Sequence, residues 1–250
     1  MTGTDSVHGS GDAPGPLIAS GRASDVYDLG DGTVLRRSRL TGIDLEYEAR
    51  VMRHVADADA GVRVPAVVGV DGADLVMERI DGPTMLDDLR ERRWKLLSHA
   101  RRLARLQARL AAVAAPGWML APDTPSEGSA VLHLDLHPMN VMLAAGGPVI
   151  IDWTNAAGGP PGFDAAVSYV LMVAFDASEI EADAGPGPSI ERFGQRMFTS
   201  TFRRTRGPRL VDAFLIAACD HRLADAGTTP AERIAVAELR KRAIARRDAT

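Results

Sequence analysis

The residues best able to do chemistry lie in His133-Leu134-Asp135-Leu136-His137-Pro138-Met139-Asn140, with Asp152-Trp153 following. Phosphoryl transfer asks little covalent work of a protein. It needs an oriented acceptor hydroxyl, cations to neutralise phosphate oxygens, and a grip on the nucleotide. A carboxylate after a strand, an amide five residues on and a second carboxylate on a neighbouring strand meet the first two needs. Asp135 can accept or orient a proton from an alcohol.

Hairpin geometry bears on the other two residues. Pairing Val141 to Leu143 with Val149 to Ile151, across a turn from Ala144 to Pro148, predicts Asn140 opposite Asp152. Cross-strand Cα atoms then lie about 4.5–5.5 Å apart. Two oxygen donors that close can share Mg²⁺, which takes one or two carboxylates plus phosphate oxygens and water. Any one of the three residues alone reads more simply as a cap of a turn; all three at this spacing favour chemistry.

The elements that must position them form two sets. From Pro16 to about Gly82 the chain reads as short strands interrupted by one helix. Ser24 to Leu29 and Thr33 to Arg37 are joined by Leu29-Gly30-Asp31-Gly32, a hairpin signal because glycine tolerates positive φ. Leu45, Ala49, Met52 and Ala56 mark one face of an amphipathic helix. Val62 to Val70 and Asp74 to Ile80 are further strand candidates around the Asp71-Gly72 turn. Beyond Pro83 helical patterning takes over, first over Trp94 to Ala115, then from Phe163 onward, with a Gly/Pro insert at Ala184 to Pro188. Strands are expected at Val131 to Leu136 and Val149 to Trp153. The reading is α+β, with a leader over residues 1–15, a sheet-rich lobe over 16–82 and a helical lobe over 83–250.

Bulk properties exclude several classes. The 250 residues are 46% hydrophobic and 25% charged, with net charge -4. A general nucleic-acid binder would show a basic excess instead. The single cysteine, Cys219, permits no internal disulfide and suits a reducing cytoplasm; in its apolar run it reads as a buried, inert thiol. No stretch approaches the length of a membrane span, and the first fifteen residues lack the basic start and apolar core of a signal peptide.

His133-x-Asp135-x-x-x-x-Asn140 and Ile151-Asp152-Trp153 resemble the signature of the aminoglycoside phosphotransferase and choline kinase-like family, on the protein-kinase fold. The resemblance runs from about Pro16 to Tyr169. It implies Asp135 as catalytic base or hydroxyl-orienting residue, Asn140 and Asp152 as Mg²⁺ ligands, and His133 as support for the catalytic loop. It makes Asp164 a structural acid and His137 a structural part of the loop. In the sheet-rich lobe it places Gly21 and Ser24 in the loop that covers phosphate, and Arg36 against Glu48. Met77 and Glu78 fall in the last strand and hinge, whose backbone meets the nucleotide base. Departures stand at three positions: Arg36 where lysine is familiar, Leu134 where glycine is common, and Gln107 where a helix histidine is common. Arginine can make the ion pair and contact phosphate through its fork but is not equivalent to lysine.

The function these features imply is transfer of the γ-phosphate of ATP, or another nucleoside triphosphate, to a hydroxyl of a small molecule. The rival is a nucleotide-binding pseudoenzyme that regulates a partner; the sparse glycine loop and Arg36 favour it, and intact Asp135, Asn140 and Asp152 oppose it. Protein-kinase activity is disfavoured by Asp152-Trp153-Thr154 in place of Asp-Phe-Gly. Asp176, Glu179, Glu181 and Asp183 form an acidic stretch that could attract a cationic acceptor such as a polyamine sugar or an amino alcohol.

Overall fold

In the computed structural model, which describes residues 15–21, 23–42, 44–122, 127–175 and 188–249, the chain divides into two compact units. The first comprises the described residues up to Ala49 together with Pro65–Arg79. It is a five-stranded antiparallel sheet of β1 (Leu17–Ser20), β2 (Ser24–Asp28), β3 (Thr33–Ser38), β4 (Val67–Asp71) and β5 (Asp74–Glu78), in the order β1-β2-β3-β5-β4. The β2–β3 hairpin forms where the glycine-rich turn predicts it, with Gly30 and Gly32 both at positive φ. The strand expected from Val62 is shorter. Pro65 has no amide proton to give a ladder, and regular pairing begins only at Val67.

Helix α1 (Glu46–Asp57) follows the predicted stripe and buries Ala49, Val51, Met52 and Val55. Acidic Glu46 and Glu48 sit in its first turn, the favourable end of the helix dipole.

The second unit contains Arg50–Val64 and everything described from Ile80. Gly82 enters it with φ 143, where a Cβ would stand 2.4 Å from the Leu143 carbonyl oxygen; only glycine fits. Helix α2 (Met85–Glu91) begins behind Thr84, whose side chain accepts the Asp87 amide proton. A 3₁₀ turn over Arg93–Lys95 then precedes α3 (Leu96–Leu110), so the helix expected from Trp94 starts slightly later. Strands β6 (Ala130–Leu132), β7 (Val141–Ala144), β8 (Gly147–Ile150) and β9 (Ala157–Gly159) form two small ribbons, β6 with β9 and β7 with β8.

The remaining helices are α4 (Pro161–Ala174), α5 (Pro188–Arg206), α6 (Pro208–Ala224) and α7 (Pro230–Asp248). Proline opens each of them, at positions where a missing N–H costs nothing. A capping box between Thr229 and Glu232 sets the start of α7. Buried on nearly every side, α4 contributes Phe163, Val167, Val170 and Leu171 to a core shared with Leu132, Leu134, Val211, Leu215 and Val236. Each large side chain removed from water there contributes about 1.5–3 kcal/mol, and Leu134 ties the loop between β6 and β7 into this core. Among the described residues no helix is long and apolar enough to cross a membrane. The leader expected over residues 1–15 falls almost wholly outside the described residues.

Candidate active site

The loop from His133 to Asn140 is built around one buried carboxylate. Asp164, in the first turn of α4, accepts the amide protons of His133 at 3.0 Å and Leu134 at 2.7 Å through Oδ1. Its Oδ2 accepts from Gln107 Nε2 at 2.9 Å. Leu134 has φ 60, a left-handed conformation uncommon for leucine, while its side chain is buried in the core. The two hydrogen bonds from consecutive amides hold that turn, so the strand expected to reach Leu136 stops at Leu132. Gln107 donates to the acid that fixes the loop.

Asp135 follows directly. Its carboxylate is partly exposed, and Oδ2 accepts from Asn140 Nδ2 at 3.0 Å while the Asp135 carbonyl takes the same group at 2.9 Å. Burial works to raise the Asp135 pKa. The hydrogen bond from His137 and the electrostatic influence of His137, His133 and Arg222 outweigh it, so the carboxyl sits below its ordinary range and is ionised at neutral pH. His133 is fully buried, contacts the Ile151 carbonyl through Nε2 at 3.1 Å and lies 4.7 Å from the buried Trp153 ring. The ring is closed off from solvent.

The structure corrects the expected hairpin register by one residue. Ala144 pairs with Gly147 across a two-residue loop, and Val141 pairs with Ile150. Asn140 therefore faces Ile151, whose N–H donates to the Asn140 carbonyl at 3.0 Å, and Asp152 is not its cross-strand partner. The five-residue turn assumed from sequence was too long, because Gly147 at φ 110 continues the ladder. Asp152 leaves the strand at φ 63, and Thr154 Oγ1 donates to its Oδ1 at 2.9 Å. Thr154 was not singled out from the sequence; a hydroxyl two residues after a candidate ligand was the available signal.

The residues fit a hard cation by the chemistry of their donors. Asn140 directs its Nδ2 hydrogens to Asp135, which leaves Oδ1 as its acceptor. Among the described residues there is no group of three or more His, Cys, Asp and Glu side chains able to enclose a metal. A cation resting on one carboxylate, one amide oxygen and phosphate oxygens has the ligand pattern of Mg²⁺.

In the first unit, Arg36 forms an ion pair with the buried Glu48, and its Nε donates to Ser24 Oγ at 3.1 Å. Arg37 points the opposite way and binds Asp74 at 2.7 and 2.6 Å, as strand alternation requires. Gly21 donates its amide proton to the Ser24 carbonyl at 2.8 Å, closing the β1–β2 turn, and its own carbonyl accepts from Arg39. Met77 pairs with Val34 on one side and Val67 on the other. Glu78 is tied to Ala66 through its backbone and carboxylate. Asp176, Glu179, Glu181 and Asp183, the expected acidic acceptor wall, lie outside the described residues, as does Arg22 of the β1–β2 turn.

The sequence also matches a known family. The model of the phosphotransferase enzyme family, APH, matches residues 15–125 and 77–185. The chain belongs to this family. It adopts the two-lobed protein-kinase-like fold, with an antiparallel-sheet N-lobe and a larger helical C-lobe. Among solved structures it is similar to aminoglycoside phosphotransferase APH(4)-Ia at TM-score 0.61 and 16% identity, over 92% of this chain and 91% of that one. It is also similar to ADP-bound aminoglycoside phosphotransferase APH(2'')-Ib, at TM-score 0.58 and 12% identity over 90% and 91%. The streptomycin-ATP ternary complex of APH(2")-IIa gives TM-score 0.58 and 12% identity over 90% of each chain. No curated protein matches the chain by sequence.

Proposed function

We propose that the protein transfers the γ-phosphate of ATP to a hydroxyl group of a small molecule. The observation that carries this reading is the Asp135–Asn140 unit, an ionised carboxylate held by the carboxamide of the residue proposed to bind metal, on a loop whose spacing resembles the family signature. In the reaction the acceptor oxygen forms a bond to the γ-phosphorus, the bond from that phosphorus to the β,γ-bridging oxygen breaks, and ADP leaves. The hydroxyl proton passes to Asp135, which orients the acceptor for attack.

Asn140 Oδ1 and Asp152 are the proposed Mg²⁺ ligands, with Thr154 steadying the Asp152 carboxylate. Mg²⁺ held there supplies charge neutralisation to the phosphate oxygens. Arg36, fixed by Glu48, takes the place of the familiar lysine at the phosphates, and the turn of Gly21 and Ser24 covers them. The chain leaving β5 at Glu78 is assigned to the base; the backbone of Met77, expected there too, is taken up by strand pairing on both sides. Residues 16–82 thus bind nucleotide, and 83–250 carry catalysis and acceptor binding. Related structures hold ADP, ATP, streptomycin, gentamicin or hygromycin B, which makes an aminoglycoside-like or amino-alcohol acceptor the first class to try. The joined Asp135 and Asn140 also favour an enzyme over a regulatory nucleotide-binding protein.

A nucleotide-consumption screen against hydroxyl-bearing antibiotics and metabolites, run beside Asp135→Asn, tests the proposal. Acceptor-dependent ADP release that falls about 10²–10⁴-fold in the variant is expected. A variant that keeps most of its turnover would reduce Asp135 to a turn residue.

A further inference from the structure

His137 has two differently employed nitrogens. Nδ1 accepts the Met139 amide proton at 3.3 Å, capping the 3₁₀ turn Pro138–Asn140. A ring nitrogen that accepts has no proton of its own, so the neutral imidazole carries its hydrogen on Nε2. Nε2 lies 3.5 Å from Asp135 Oδ1. The other oxygen, Oδ2, is already taken by Asn140 Nδ2, itself 3.4 Å from His137 Nε2. Asn140 thus binds one oxygen of the carboxylate, and His137 Nε2 faces the other. Both His137 and Asp135 keep roughly a quarter of their side-chain surface open, so the pair is within reach of a bound acceptor.

We propose that His137 is a positioning residue whose Nε2–H holds the Asp135 carboxylate in the orientation that receives the acceptor's proton. This rests on the phosphotransfer reading above. The 3.5 Å separation is long, as contacts in substrate-free active sites often are, and shortens once the acceptor is bound. A purely structural histidine would need only its cap.

Two substitutions separate the roles. His137→Asn keeps a short acceptor at the cap, among the best residues for that position, and removes the donor to Asp135. His137→Gln reaches Asp135 with an amide N–H and sacrifices the cap. With MgATP and water as acceptor, or any acceptor found by screening, His137→Asn should lower kcat about 10-fold with the MgATP KM within about two-fold. Its melting temperature should stay near wild type. His137→Gln should recover kcat to within about three-fold while melting lower. The opposite order, a fully active His137→Asn and an impaired His137→Gln, would overturn the proposal and leave His137 a cap alone. Independently of turnover, long-range ¹H–¹⁵N spectra of the full chain should show the Nε2–H tautomer; an Nδ1–H tautomer would also overturn it. Absence of nucleotide turnover in wild type with every acceptor would instead refute the phosphotransfer reading, and the tautomer would still decide the hydrogen bond.

Discussion

Asp164 is the residue whose loss should do most damage per atom removed. In Asp164→Ala the amides of His133 and Leu134 lose their acceptor inside the protein, and Gln107 Nε2 loses its nearest partner. A buried donor left without an acceptor costs about 1–3 kcal/mol, so the two amides together cost about 2–6 kcal/mol. The left-handed Leu134, unfavourable by about 1–2 kcal/mol, does not enlarge this loss, because that strain is already present in the wild type. A loss near 4 kcal/mol is a large part of the roughly 5–15 kcal/mol that keeps a domain folded. Asp164→Asn should be milder, about 1–3 kcal/mol, because its Oδ1 still accepts both amides, though without full charge. Its new NH₂ would face that of Gln107, and Gln107 can rotate to present Oε1, which is buried and without a partner in the wild type. Urea unfolding followed by tryptophan fluorescence, with linear extrapolation, measures both variants. An Ala variant within 1 kcal/mol of wild type, or an Asn variant less stable than Ala, would refute this account of the loop.

Asp152→Ala should weaken Mg²⁺-dependent nucleotide binding more than Asn140→Ala, since a full carboxylate charge attracts Mg²⁺ more than an amide does. Equal affinity of wild type and Asp152→Ala in a nucleotide titration with Mg²⁺ would remove Asp152 from the metal site. Arg36→Ala should raise the nucleotide KM well above the effect of Arg37→Ala, whose partner Asp74 lies on the other face of the strand; the reverse order would refute the phosphate role of Arg36. Cys219 is buried and its pKa is pushed up to about 12, mainly by desolvation. At pH 8 its thiolate fraction is about 10⁻⁴, so iodoacetamide should label it only after unfolding. Labelling of the native protein within minutes would contradict that burial.

Short-range rules read much of this molecule directly from its sequence. Spacing alone drew attention to Asp135, Asn140 and Asp152. Strand alternation separated Arg36 from Arg37, and helix periodicity identified the buried face of α1. Glycine chemistry marked the β2–β3 turn because positive φ is written into residue type. Tertiary structure decided what depends on partners distant in sequence. Two residues in the β7–β8 loop, rather than five, moved Asn140 opposite Ile151, a one-residue difference that apolar strands this short do not encode. Leu134 and Asp152 adopt left-handed conformations against their own preferences. For Leu134 the cause is a carboxylate thirty residues away that accepts its amide proton; sequence periodicity carries no trace of such a bond.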